Sequence, residues 1–423
     1  MIGLGAGAVG ILRRVDLCPH AQIYAGADID PHVRETAHAV YPEMKVYETA
    51  EQLVADPAVD AVWVMTANRF HAEHTILAAN AGKHVAVTKP MCITVKEAEA
   101  MVEAAERNRV NVIAGNSHSY STPIRLVAQI ARSGALGKVK AVNLFAINDW
   151  MLRNRRPEDF DLTHGGGILY RGAPHQVDVA RLIVGGRLRS VRGTYGDWEP
   201  SRPAPGFYSA YMEFEDGTPC VMYQNAYGYF DFEELSPWAI GVTPGKGAAK
   251  RAEVRERIRQ EAREGTRNEL TEYLSRGIAI ARSPDGGPDP DASTRATVAS
   301  GGRSAPEFGS DMGFVFVSCE RGDIRQAPRG AYVYDDDGVV EYRVDRGNLY
   351  DEEIDEVYGA AVLGRKPLHD ERWGLSTMEA TLAILESGRT HREIDLSLQS
   401  ESIPDPEYAA AHIVEPESVV RLN

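Results

Sequence analysis

The sequence predicts an α/β fold in two parts. A doubly wound parallel sheet is expected over residues 1–122, followed over 123–400 by an α+β domain with a largely antiparallel open sheet. Three observations lead there. Short apolar runs alternate with helical periodicity up to about residue 115, which predicts parallel strands covered on both faces. Beyond about Lys138 the apolar runs lengthen and hairpin-type turns join them. At 423 residues the chain is also long for a single core.

The first strands read at 2–4, 23–27, 61–65, 84–87 and 110–114, with helical patterns at 71–81 and 95–108. The second helix has a capping box, TVKE, in which Thr94 and Glu97 satisfy each other's backbone N–H groups. Longer strands follow at 138–148, 206–226, 313–325 and 331–344, with turn signals EDGT at 215–218 and DDDG at 335–338. Helices at about 351–364 and 371–390 are expected beside that second sheet. Residues 246–277 read as a solvated, highly charged helix with Glu253 and Arg257 in i,i+4 register. The stretch SPDGGPDPDAST at 283–294 reads as a loop, so 231–310 is an insertion and 401–423 a C-terminal tail.

Hydrophobic residues make up 43% and charged residues 25%, an ordinary globular balance. A net charge of −15 argues against nucleic acid as a partner, whereas a local cluster such as Arg153, Arg155 and Arg156 still admits a small anion. Cys18, Cys92, Cys220 and Cys319 show no CxxC pairing, which reads as free thiols in a reducing compartment and no metal site. No apolar run reaches the roughly 20 residues of a membrane span, and MIGLGAGAVG lacks a basic leader, so a cytoplasmic location is expected.

Gly5-Ala6-Gly7-Ala8-Val9-Gly10 is a G-x-G-x-x-G between a strand and a helix. Glycines there permit a tight turn and close approach of backbone to a pyrophosphate. Asp28 ends the next strand, 18 residues after Gly10, near the roughly 20 expected of a ribose-binding acid. Ile29 and Asp30 follow with no arginine directly behind, and two carboxylates repel a 2′-phosphate, so NAD is expected and not NADP. Thr66, Asn68 and His71, and then Lys89-Pro90, fall at the carboxyl ends of predicted parallel strands, where open α/β sheets bind ligands.

In GGGILYRGAPHQVD at 165–178, Pro174 and the Gly185-Gly186 pair predict a helix beginning around 174. His175 would then sit at the positive end of that helix, which disfavours its charged form and suits a base. Asp178 either orients the His175 ring or pairs with Arg181.

Taken in order, GAGAVG, Asp28, TANRFH, AGKHVAVTKP, GNSHSYSTP at 115–123 and GGGILYRGAPHQVD resemble the Gfo/Idh/MocA oxidoreductase family, over roughly 1–230 and 310–395. The resemblance implies an NAD-binding Rossmann domain, a C-terminal domain with an open sheet, and a homodimer or tetramer formed through that sheet. Thr88 stands where the family has a glutamate before Lys-Pro, and Ala67 where it has a proline. Arg171, four residues before His175, stands where many polyol-oxidising members have aspartate.

With NDWMLRNRRPEDF and FVSCERGDIRQAPRGAYVY, the chain is similar to the phthalate 4,5-cis-dihydrodiol dehydrogenase branch. That branch implies hydride transfer from a carboxylated cis-dihydrodiol to NAD, yielding a catechol, with His175 or Lys89 accepting the hydroxyl proton. Arg171 would hold a substrate carboxylate or pair with Asp161. Arg153, Arg155, His118 and Tyr120 are further candidates for substrate contact. A dehydrogenase of sugars, glycosides or cyclitols, and a non-catalytic NAD-binding regulator, are the alternative readings.

Overall fold

The computed structural model describes residues 1–115, 118–230, 248–266, 278, 313–327, 329–345, 347–401 and 413–422. The 283–294 stretch and most of the 231–310 insertion lie outside the described residues.

The first domain contains α1 (Val9–Val15), β1 (Ala25–Ala27), α2 (Pro31–Val40), β2 (Lys45–Tyr47), α3 (Ala50–Val54), β3 (Ala61–Val64), α4 (His71–Asn80), β4 (His84–Thr88), α5 (Val95–Asn108) and β5 (Val112–Gly115). All strand pairs are parallel, β1 with β2 and β3-β4-β5 in order. The expected strand at 2–4 is reduced to isolated bridges from Ile2 to Ala27 and Val64. Gly3 takes a left-handed φ of 86°, and Leu4 N donates to the Asp28 carboxylate instead of to a neighbouring strand. The segment still joins the two small sheets, because Ile2 N donates to Trp63 O at 2.8 Å and Gly3 N to Ala27 O at 2.8 Å. The expected capping box of α5 is present, and Thr49 with Gln52 forms another on α3.

The second domain contributes α6 (Thr122–Arg132), β6 (Val139–Ile147), α7 (Gly167–Val184), β7 (Leu188–Gly196), β8 (Phe207–Phe214), β9 (Pro219–Asn225), α8 (Ala248–Glu264), β10 (Phe314–Cys319), β11 (Gly322–Ala327), β12 (Gly330–Asp335), β13 (Gly338–Arg343), α9 (Leu349–Ala361), α10 (Glu371–Thr390), β14 (Ile394–Asp395) and β15 (Ser418–Leu422). Its strands make a ten-stranded sheet, ordered β14-β7-β8-β9-β6-β10-β11-β12-β13-β15. Among its described strands only β6 and β9 pair in parallel. The single strand expected over 313–325 is a hairpin, β10 and β11, turning at Glu320-Arg321. The last described residues add an edge strand, with β15 antiparallel to β13. One sheet face packs on α6, α7 and α10 through Val142, Leu144, Met212, Phe214 and Trp373.

Helices α9 and α10 do not both lie on that sheet. α10 covers β7 and also packs on α5 and α7, between the two domains. α9 returns to the first domain, where Val357 and Ala360 bury against Ala86 and Ile113 and the Arg14 guanidinium clasps Asp351. α7 begins at Gly167, capped by Gly166, and runs through Pro174. Every residue of α7 except Arg171 and Val184 is buried. Core packing therefore overrides the local stop signal of the proline. Among described residues no helix is long and apolar enough to cross a membrane.

Glu353 on α9 is buried, and its carboxylate accepts from the Trp63 indole at 3.1 Å. Burial pushes its pKa from 4.5 up to about 7. The folded state thus keeps a proton that the unfolded chain gives up above pH 4.5, so this contribution is full at low pH and falls away as pH rises toward 7. Glu353→Gln is expected to flatten that decline and to stabilise the protein at pH 8 by on the order of 2 kcal/mol. Urea unfolding at pH 5 and pH 8 measures it; equal stability of the two proteins at pH 8 would contradict the assignment.

Candidate active site

The site lies along the carboxyl ends of the parallel strands, where the 1–4 segment divides β1 from β3. A Cβ at Gly5 would meet nothing within 4 Å, and one at Gly7 only the Met65 carbonyl at 4.0 Å. Open backbone at both positions is the cradle a pyrophosphate needs. Ala8 and Val9 are buried behind it, and a Cβ at Gly10 would collide with the Tyr350 ring of α9. Asp28 accepts from Leu4 N at 2.9 Å with one oxygen and from Asp30 N at 3.0 Å with the other. Each oxygen keeps a lone pair for a ribose hydroxyl. Ile29 beside it is 85% exposed. The residues present fit a dinucleotide.

His71, predicted at the cofactor edge, is fully buried and braces two loops. Its Nδ1 lies 2.7 Å from Pro90 O and its Nε2 3.0 Å from Thr66 O. Burial pushes its pKa down to about 4, so the ring is neutral and donates to one carbonyl at a time. Thr66 contacts His74 Nδ1 at 3.1 Å, while Asn68 donates to Gly165 O at 2.8 Å and so couples the loop after β3 to the second domain. The glycine triplet has a steric cause. Gly165 and Gly167 take φ of 77° and 89°, and a Cβ on Gly166 would lie 2.7 Å from backbone of Asp159 and Asp161.

Lys89 makes no hydrogen bond to a described residue and sits among like charges. Burial, then Arg171 and Arg155, hold its pKa well below the ordinary lysine value, against the opposing pull of Asp159. His175 is 3% exposed, and neither ring nitrogen has a hydrogen-bond partner among the described residues. Its pKa is held well below 6.5 by burial, then by His118, Lys89 and Arg171. The helix-end explanation is corrected here, because His175 lies mid-helix in α7, beyond reach of the N-terminal dipole. The His118 ring stands edge-on to His175, centroids 4.4 Å apart.

Asp178 does not orient His175. Its carboxylate takes the Trp373 indole N–H, while Arg181 donates to Trp373 O at 2.8 Å and to Thr377 at 2.7 Å. Asp161 accepts from Thr163 N at 2.8 Å and lies 3.0 Å from His164 Nδ1. Of the predicted substrate contacts, Arg171 acts on both Lys89 and His175, Arg155 on Lys89 and His118 on His175. Arg153 instead pairs with Asp149 at 2.8 Å, half exposed. Tyr120 is 1% exposed, with its hydroxyl on Glu356.

Sequence reasoning missed the buried set behind Tyr120. His369 Nδ1 lies 2.8 Å from Glu356 and its Nε2 2.8 Å from Ser119 Oγ. Burial would discharge His369, but the Glu356 carboxylate outweighs it and raises the pKa. These residues lie some 250 positions apart in the chain, and no motif links them. Among described residues no cluster of His, Cys, Asp and Glu could hold a metal ion.

Comparison with known proteins agrees with this geometry. Residues 1–116 match the model of the oxidoreductase family with an NAD-binding Rossmann fold, and residues 124–234 that of the GFO/IDH/MocA C-terminal domain. A 1-carboxy-3-chloro-3,4-dihydroxycyclohexa-1,5-diene dehydrogenase from Comamonas testosteroni is 29% identical over 92% of this chain and 94% of its own. A crystal structure of a Bordetella bronchiseptica RB50 protein provisionally assigned as a dehydrogenase is 32% identical, with TM-score 0.79 over 93% of this chain and 98% of that one. The fold is shared with a levoglucosan dehydrogenase bound to NADH and levoglucosan, at 16% identity and TM-score 0.67, covering 93% of this chain and 97% of that one. The protein is thus an NAD-dependent dehydrogenase acting on CH–OH groups. It belongs to the Gfo/Idh/MocA oxidoreductase family.

The two outer glycines of the turn should separate on substitution. Gly5→Val fills open space, so NADH affinity measured by fluorescence titration should fall at least 10-fold with little change in Tm. Gly10→Val meets Tyr350 and should lower Tm by several degrees. Unchanged NADH affinity in Gly5→Val would remove Gly5 from the cofactor site.

Proposed function

We propose that the enzyme oxidises a cyclic, carboxylated cis-dihydrodiol of the phthalate 4,5-cis-dihydrodiol type to a catechol. The observation that carries this reading is that Lys89 and Arg171 both act on a neutral His175 while Arg171 and Arg155 act on Lys89, with Asp159 the opposing carboxylate beside Lys89. Cations placed so close depress one another, which favours an anion between them. The Comamonas relative, whose name specifies a carboxylated dihydroxycyclohexadiene, supports the same class of substrate.

NAD, held by Gly5, Gly7, Asp28 and the 66–68 loop, supplies the hydride acceptor when bound. The protein's own part is proton transfer and positioning. A neutral His175, with no hydrogen-bond partner among the described residues, takes the hydroxyl proton as the carbinol carbon is oxidised. Lys89, the alternative acceptor, stabilises the oxygen as negative charge develops on it. Arg171 grips the carboxylate with a planar fork, and Arg155 adds to the field. The dienone product tautomerises to the catechol, and aromatisation draws the reaction forward.

NADH formation from a carboxylated cis-dihydroxycyclohexadiene, run beside inositol and glucose, is the direct test. Turnover only with a polyol would keep the dehydrogenase and overturn the substrate. His175→Asn should lower kcat by roughly 10²–10⁴-fold. Arg171→Met should raise KM for the carboxylated substrate roughly 10–100-fold. It should also move the acid limb of kcat/KM upward, because one of the cations holding His175 below pH 6.5 is gone. A limb that stays in place would take Arg171 out of the pocket.

A further inference from the structure

Helix α8 lies within the long insertion, and its contacts gather on one neighbouring region. Arg259 donates to a Glu199 carboxylate oxygen through Nε at 2.9 Å and through a terminal nitrogen at 2.6 Å. Arg255 donates to Gly228 O at 3.1 Å and stacks over the Tyr229 ring at 4.1 Å. Ile258, 2% exposed, is the buried residue of the helix, which also packs on the turn Trp150–Leu152. The solvated helix expected from the charge pattern is therefore docked along one side, and Arg257 faces Glu261 at 3.7 Å.

Arg202 is 1% exposed and feels the charges of Glu261 on this helix and of Glu199. It donates to Arg153 O at 3.2 Å, and its guanidinium stacks over the Phe160 ring at 4.2 Å. Burial lowers its pKa to about 10, and Glu261 of α8 and Glu199 work against that fall. Burial also acts on Glu199 in the unfavourable direction, yet Arg259 and Ser201 hold it below its ordinary range. Between Arg153 and Phe160 lie Arg155, whose guanidinium stands 4.6 Å over the Trp150 ring, and Asp159; both act electrostatically on Lys89.

We propose that α8 is a brace on the substrate side of the active site: through Glu199 and Arg202 it fixes residues 153–160 and so sets where Arg155 stands relative to Lys89. Glu199, Arg202 and Arg259 are positioning residues that act through Arg155. The affinity consequence rests on the carboxylated-substrate reading; the mechanical claim does not. Helix α8 is then a specificity element that holds an anion-binding charge against Lys89.

The full-length Glu199→Gln and Arg259→Gln variants, with the paired exchange Glu199→Arg plus Arg259→Glu, form the test. Amide hydrogen exchange over 149–161 should speed up about 10-fold in each single variant and recover in the pair. KM for a carboxylated cis-dihydroxycyclohexadiene should rise about 5–10-fold in the singles with kcat within two-fold, and also recover. Arg202→Lys should keep part of the affinity that Arg202→Ala loses. Exchange unchanged in both single variants overturns the brace, as does exchange that changes while KM stays constant. If the wild-type protein oxidises only uncharged polyols, the substrate reading fails, and the exchange data alone then uphold or reject the brace.

Discussion

Helix α7 is buried along nearly its whole length, and the positions of Arg171 and His175 follow from that burial. Its start is pinned by the glycine triplet, whose backbone fits against Asp159, Asp161 and Pro205 with no room for side chains. Asn68 ties the same triplet to the loop after β3. With both faces packed, the helix has little freedom to rotate, so Arg171 and His175, one turn apart, face Lys89 together. Tyr170 extends the fit into the first domain, where its hydroxyl donates to Ile93 O at 3.2 Å.

The electrostatics of the pocket run against those of the molecule. A chain of net charge −15 concentrates two arginines, a lysine and two imidazoles at one place. Desolvation lowers the pKa of the lysine and of His175, and their neighbours lower it further. One arrangement thereby leaves His175 neutral near neutral pH and surrounds Lys89 with further positive charge, which is what the proposed reading draws on.

Behind the pocket the two domains meet through polar groups as well as apolar ones. Glu356 and His369 form a buried pair that also holds Ser119 and Tyr120, next to His118 in the chain. Such a pair costs desolvation energy and is sustained by hydrogen bonds on both partners. Its geometric result is that the turn carrying His118 is held from α9 and from the connection before α10.

Much of the first domain was legible because it obeys local rules. Alternating apolar runs marked β3 and β4, the TVKE box marked the start of α5, and a glycine pattern followed by Asp28 marked the cofactor end. Those signals act between residues close in the chain, and by itself the sequence determined the α/β class, the NAD-binding motif, and Lys89 and His175 as the groups to watch. Only the tertiary structure decided where α7 begins, since packing overrode Pro174. It also showed that Arg153 is drawn to Asp149, that His71 and Tyr120 brace the scaffold, and that His369 lies beneath the site. These outcomes depend on which distant side chains share a buried volume, where desolvation and neighbouring charge, and not local propensity, set the energy.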